Sequence, residues 1–372
     1  MNSVAMAQVS WKSHLEEHGY AIVPDVLNQK ECHALHEGYW DFFKTLIGVE
    51  KDDASTWKRI YKLFPNHGML FQHWCSGHMQ QIWDVRQNKK IHGAFADIWD
   101  TEDLTVSFDG CSFGLQPEVT GRGWQNKGWL HLDQSPHRND FECVQGWVTA
   151  LGVEKGDATL TVLAGSHKHH AEFGAYLEIT DPSNWKKCKG DWFKLAPNHV
   201  KWFKDRGCEQ KYVECPPGSL VLWDSRTVHA GQCPTRGRKN PKNRIVSYVS
   251  MMPQAKLSGR EREKKQWAAI RGRMTTHWAA EHVKLFGKWP RTYGAPLPAV
   301  SGFIPPLLNA RGAYLAGWKD PSKCPLTIVD PVERKKAVDA IVASQDAAKA
   351  ARTAANKSKK RKRAPMKIFI QR

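Results

Sequence analysis

His131 and Asp133 stand two residues apart in Gly128-Trp-Leu-His-Leu-Asp-Gln134. In an extended strand, residues two apart share a face, so an imidazole and a carboxylate project together. That pair is two-thirds of a donor set in which two His and one carboxylate hold one side of an iron(II) ion, leaving the other side open. The tripeptide alone is a weak signal and needs a third ligand. His229 is the candidate, at the end of Gly218-Ser-Leu-Val-Leu-Trp-Asp-Ser-Arg-Thr-Val-His229, where an apolar strand gives a rigid base to a ligand just past it. The competing chemistry for such a set is a redox-inert zinc site with open coordination.

A cosubstrate anchor discriminates between them. Iron(II) oxygenases of this kind draw electrons from 2-oxoglutarate, whose distal carboxylate suits the planar, permanently charged fork of arginine. Arg244 opens the strand Arg244-Ile-Val-Ser-Tyr-Val-Ser-Met251, shortly after His229. Arg236 and Arg238 lie in the intervening loop, which holds an anchor less firmly. Gln134 and His137, directly after the metal strand, are candidates to face substrate. His167, His169 and His170 read as turn and loop residues rather than ligands.

These residues need strands to position them. From Leu104 onward short strand-like runs recur: Leu104–Phe108, Ser112–Gln116, Trp129–Asp133, Val144–Leu151, Ala158–Leu163, Lys211–Cys215, Ser219–Trp223 and Arg244–Met251. Turn signals such as Pro216-Pro-Gly218 separate them, which predicts an antiparallel sandwich or barrel. Ahead of them the spacing predicts a short helix at Trp11–His18 and a strand at 20–24. A helix capped by Asn28 and Glu31 follows, and a second helical region covers Gln80–Trp99. Residues 170–210 read as an insertion of loops and short helices, a lid over the barrel mouth. Beyond Pro253 a helix opening at Ser258 carries Trp267, Ile270, Met274 and Trp278 at helical intervals and ends near Gly287 and Pro290.

The 372 residues, 41% apolar and 10% aromatic, suit a folded enzyme-sized chain. No run approaches the roughly 20 apolar residues of a membrane span, and the N-terminus lacks the order of a secretory signal. Nine irregularly spaced cysteines without Cys-x-x-Cys suggest reduced thiols in a soluble, intracellular protein. The net charge of +18 is segregated: residues 349–372 carry +10 and residues 234–291 carry +12, which leaves −4 for the remainder. Such segregation favours a polyanionic partner. Lys357-Ser-Lys-Lys-Arg-Lys-Arg363 is a candidate nuclear-import signal or nucleic-acid arm.

His131-Leu-Asp133, His229 and Arg244 resemble the phytanoyl-CoA dioxygenase family of iron(II)/2-oxoglutarate oxygenases. So do His18-Gly-Tyr-Ala-Ile-Val-Pro-Asp-Val-Leu27 and Gly156-Asp-Ala-Thr-Leu-Thr-Val-Leu-Ala-Gly-Ser-His167. The resemblance covers roughly residues 14–252. It implies a mainly β chain with flanking helices around a double-stranded β-helix (jelly-roll) core, with iron(II) and 2-oxoglutarate as cofactors. The implied reaction is hydroxylation of an unactivated carbon, with release of succinate and carbon dioxide. Two positions depart from the family: Gly231 stands where a serine often helps to hold 2-oxoglutarate, and the step from His229 to Arg244 is long. Gln116, on the strand before the metal strand, is a candidate for the missing polar contact.

The expected organisation is a dioxygenase domain at 1–253, helical over 1–103 and β over 104–253. A basic helical extension at 254–331 packs on the core, and a flexible Ala/Lys-rich tail follows at 332–372. The expected substrate is an anionic small molecule such as an acyl-CoA. The alternatives are a nucleic-acid base hydroxylase or demethylase binding through 234–291 and 349–372, and a non-catalytic nucleic-acid-binding or packaging protein that keeps the fold.

Overall fold

The computed structural model describes residues 10–66, 69–124, 128–278 and 283–363, the last nine by backbone alone. Its strands are β1 (Tyr20–Val23), β2 (Leu70–Phe71), β3 (Leu104–Val106), β4 (Cys111–Gly114), β5 (His131–Leu132), β6 (Val144–Thr149) and β7 (Thr159–Ala164). β8 (Phe193–Lys194), β9 (Glu209–Tyr212), β10 (Leu220–Asp224), β11 (His229–Gln232), β12 (Arg244–Val249) and β13 (Met251–Pro253) complete the set. One sheet runs β1-β10-β6-β12-β4-β2 and a second β8-β5-β11-β7-β9, while β13 pairs with β3. The pairings are antiparallel.

Trp147, Val221 and Val246 of the first sheet pack with Leu160 and Val162 of the second. The apolar sides of both sheets thus close on one interior, and the core is a double-stranded β-helix, as the resemblance implied. The outer face of the first sheet is covered by the helix Gln29–Ile47. Its Phe43 stacks on Phe113 at 4.7 Å, and its Tyr39 hydroxyl donates to the Val246 carbonyl at 2.8 Å. Full burial of an aromatic such as Phe43 contributes about 2–3 kcal/mol. That helix starts as its sequence predicts: Asn28 Oδ1 accepts from the Glu31 N–H, and Glu31 returns the bond to the Asn28 N–H.

Three elements differ from the sequence expectation. The helical region Gln80–Trp99 is two helices, Gln80–Arg86 and Lys89–Trp99, because Asn88 turns its side chain to cap the second. The helix after Ser258 stops at Ile270 instead of continuing to Trp278. Gly272 follows with φ +60, a left-handed conformation that glycine adopts without strain, and the chain then extends to bridge Thr275 with Leu285. The segment expected as a flexible tail is helical from Pro331 to Arg363, and its start is docked. There Arg334 donates to the carbonyls of Pro305, Ile328 and Val329, and Asp346 pairs with Arg271. Residues 364–372 of the tail lie outside the described residues.

The insertion at 170–210 does hold short helices, His170–Thr180, Pro182–Lys187 and Pro197–Lys204, around β8. The nine cysteines are thiols, with no disulfide among the described residues.

Candidate metal centre

β11 pairs with β5 so that His229 lies directly opposite His131. Cross-strand partners project to the same side, and Asp133 joins them two residues along. His131 Nε2 lies 3.5 Å from one Asp133 carboxylate oxygen and His229 Nε2 3.3 Å from the other. The imidazole centroids are 4.3 Å apart. Among the described residues this is the cluster of His, Cys, Asp and Glu able to hold a metal, its ligand atoms all within 4.8 Å of one another.

The protonation of the site follows from its hydrogen bonds. His131 Nδ1 donates to the Trp129 carbonyl at 3.0 Å, and His229 Nδ1 to the Thr227 carbonyl at 2.9 Å. A carbonyl can only accept, so each Nδ1 carries a hydrogen and each Nε2 is the nitrogen left facing the centre, where it could give its lone pair to a cation. Burial, then the proximity of His131, pushes the His229 pKa down, which keeps the ring neutral. Burial works against charge on Asp133, but the facing imidazoles His131 and His229 outweigh it and hold the carboxyl well below the usual carboxylate range. Two imidazole nitrogens and one carboxylate are a donor set that would suit a divalent cation, whose charge the carboxylate would halve.

Supports converge on Asp133. Gln145 donates to a carboxylate oxygen at 3.0 Å, and Trp278 donates its indole N–H to the Asp133 backbone carbonyl at 3.2 Å. Trp129 stacks on His131 with an interplanar angle of 11° and donates to the Gly231 carbonyl at 3.0 Å. This explains the glycine where a serine is common: a Cβ on Gly231 would come within 3.2 Å of the Trp129 ring. Gln145 and Trp278 were not singled out from sequence. The first needed the register of β6, and the second was hidden inside an apparently continuous helical stripe.

Arg244 lies on β12 opposite Gly114, and by strand alternation it shares the inner face of its sheet with Val246 and Tyr248. Trp147, the cross-strand partner of Tyr248, is on that face, and the Arg244 guanidinium lies 5.9 Å from its ring. Gln145, two residues before Trp147, also shares the face and reaches Asp133 from it. Gln116 is half-buried at the same end, its backbone N–H donating to Asn243. The Trp147 and Trp223 indole N–H groups are buried on this face without a partner among the described residues. Orphaned donors cost about 1–3 kcal/mol each, and they fit a small diacid accepting hydrogen bonds between His229 and Arg244.

Two expected substrate-facing residues are otherwise engaged. Gln134 is fully buried: its amide donates to the carbonyls of Arg138 and Asp140 and accepts from Ser225, so it staples loops and faces away from Asp133. His137 stacks on Trp185 at 3.6 Å and hydrogen-bonds its carbonyl, joining the metal strand's loop to the insertion. His167 and His170 bind the backbone carbonyls of Glu16 and Gln134. Arg238 is an ion-pair residue, held by Glu118 and Asp157.

The Phytanoyl-CoA dioxygenase (PhyH) family profile matches residues 15–235. Ava biosynthesis cluster protein O of Aspergillus versicolor is 29% identical over 259 residues, which are 69% of this chain and 82% of that protein. A crystal structure of a hypothetical protein from Escherichia coli at high pH aligns with TM-score 0.52 and 13% identity, over 83% of this chain and 81% of that one. The epimerase SnoN in complex with Fe3+, alpha ketoglutarate and nogalamycin RO aligns with TM-score 0.39 and 13% identity, over 66% of this chain and 82% of that one. With the family profile spanning more than half of its length, the chain belongs to the phytanoyl-CoA dioxygenase family.

Proposed function

We propose that this protein is an iron(II)/2-oxoglutarate-dependent dioxygenase that hydroxylates a small anionic molecule, with release of succinate and carbon dioxide. The observation that carries this reading is the pair of imidazoles whose Nδ1 hydrogens are fixed on carbonyls, so that both Nε2 atoms meet the Asp133 carboxylate. When bound, iron(II) and 2-oxoglutarate supply the oxygen activation and the electrons for it. His131, His229 and Asp133 bind the metal on one side. Arg244 takes the distal carboxylate of the cosubstrate by a forked contact, and the indole N–H groups of Trp147 and Trp223 orient the diacid. Gln145 and Trp278 keep Asp133 in one orientation. The nearly complete burial of both imidazoles shields the protein side of the metal from bulk water.

The basic segment 234–291 gives little support to a nucleic-acid substrate. Arg238 and Lys242 pair with Glu118, Asp157 and Glu154, Lys265 is fully buried on the Val106 carbonyl, Arg271 holds Asp346, and Arg273 holds the Phe286 carbonyl. These cations serve the fold rather than a phosphate chain. Among the described residues no helix is long and apolar enough to cross a membrane.

The test is succinate release from 2-oxoglutarate with iron(II) and oxygen. His131→Ala, Asp133→Ala and His229→Ala should each abolish it, and Arg244→Ala should raise the 2-oxoglutarate requirement about a hundredfold with the maximal rate less affected. Wild-type turnover in all four variants would refute the assignment.

A further inference from the structure

β8 enters from the insertion and pairs with β5 so that Lys194 lies directly opposite His131 and Phe193 opposite Leu132. Lys194, His131 and His229 therefore form one cross-strand row, and cross-strand partners project to the same side. Trp192, two residues before Lys194, projects to that side as well. Its ring centroid is 5.8 Å from that of His131, and 56% of the residue is exposed. Lys194 is exposed too and makes no ion pair among the described residues. The nearby Asp191 is neutralised by Arg138 instead. At the other end of the row Lys211 is paired with Glu209. The opening of the metal centre thus presents a broad aromatic face and an uncompensated ammonium, side by side, next to a ligand imidazole.

The contact with His131 leaves more than half of Trp192 bare, and Lys194 beside it has no ion-pair partner among the described residues. We infer that Trp192 and Lys194 form the substrate subsite, which takes a planar ring system carrying a carboxylate or a comparable anion. The ring lies on Trp192 and the anion on Lys194, which brings the ring's edge toward the metal ligands. The inference deepens the dioxygenase reading and rests on it for the identity of the ligand as substrate. The apolar stack contributes most of the affinity, because an exposed lysine–carboxylate pair is weak in water.

The test is calorimetric titration of the full chain, loaded with iron(II) and 2-oxoglutarate without oxygen, using 2-naphthoate, 2-naphthalenemethanol and decanoate as probes. The expected order is naphthoate tightest, with Trp192→Ala weakening it about tenfold and Trp192→Phe restoring most of the loss. Lys194→Met should weaken naphthoate about three- to fivefold, leave the neutral naphthalenemethanol unchanged, and be rescued by Lys194→Arg. Naphthoate binding that ignores both residues, decanoate binding as tightly, or no binding to the wild type would overturn the subsite. A single-stranded oligonucleotide held through Trp192 more tightly than naphthoate would overturn it too, by assigning this face to nucleic acid. Uncoupled succinate release from the wild type, measured alongside, keeps the two proposals apart. If it is absent while naphthoate responds to Trp192 and Lys194, the dioxygenase reading falls and the subsite stands; the reverse pattern removes the subsite alone.

Discussion

Among the six buried histidines of the described residues, two pairs differ in what they can do. His131 and His229 give their Nδ1 hydrogens to backbone carbonyls and turn Nε2 toward a carboxylate. His78 and His170 do the opposite: Nε2 donates to the carbonyls of Arg273 and Gln134, and among the described residues neither ring forms an ion pair with a carboxylate. His78 Nδ1 accepts from the Trp83 indole, so the ring is satisfied on both sides. Burial and then the Arg86 guanidinium push the His78 pKa down to about 3, and burial pushes His170 down to about 4. A histidine is therefore placed to ligate or to brace according to which nitrogen the backbone takes and whether a carboxylate waits at the other.

Breaking each pair should give opposite results. Asp133→Asn keeps the shape but removes the charge between the imidazoles, so metal affinity and succinate release should be lost while circular dichroism and the thermal transition remain those of a folded chain. His78→Ala removes a packed ring, its contacts with Phe108 and Trp83, and both hydrogen bonds. It should cost about 3 kcal/mol in a urea titration while leaving metal affinity in the folded fraction unchanged. If His78→Ala cost metal affinity and Asp133→Asn did not, the division between the pairs would be wrong.

Acid sharpens the same contrast. In the unfolded chain His78 takes up a proton near 6.5, whereas in the folded chain it resists down to about 3. The unfolded state thus binds more protons in this window, and the stability His78 contributes is present above pH 6.5 and lost progressively toward pH 3. His170 behaves alike down to about 4. Between pH 7 and pH 5 each should cost about 2 kcal/mol. In His78→Phe the loss of stability over that interval should shrink by about 2 kcal/mol; an unchanged loss would assign the acid sensitivity to other groups.

What could be read from the sequence was what is local or alternating. His131 and Asp133 sit two apart on one strand, and the strand runs around them carry the barrel. The same alternation places Gln134 on the opposite face from Asp133, so its role as a staple, rather than a substrate contact, was available from parity alone. Long-range pairing was not available. Part of the +12 of residues 234–291 is taken up by acids distant in sequence, as where Arg238 finds Glu118 120 residues away. Nor did the sequence show that the Trp129 ring lies over Gly231, within 3.2 Å of where a Cβ would stand. The stripe Trp267, Ile270, Met274, Trp278 was misleading in a different way. Its period suits a helix, but Gly272 inside it is a helix-stop residue, and the extended chain beyond it carries Trp278 to the metal strand.

That reach gives the smallest and most specific effect. The family profile ends at residue 235, yet the chain beyond it supplies a hydrogen bond to the backbone of Asp133. Arg138 lies 4.7 Å over the Trp278 ring and is itself held by Asp191 and Glu142, so the indole is clamped from the outside. Groups that orient a ligand without touching the metal are commonly worth ten- to a hundredfold in affinity. Trp278→Phe keeps the ring under Arg138 and deletes only the N–H, so it isolates the hydrogen bond from the packing. A cobalt(II) titration followed by its visible absorption should show affinity reduced about tenfold, at the low end because the bond reaches the backbone rather than the carboxylate. Trp278→Ala should lose more, since the clamp goes as well. Equal affinity in wild type and Trp278→Phe would make the contact one of packing alone, and the metal centre would then end with the family profile plus Arg244.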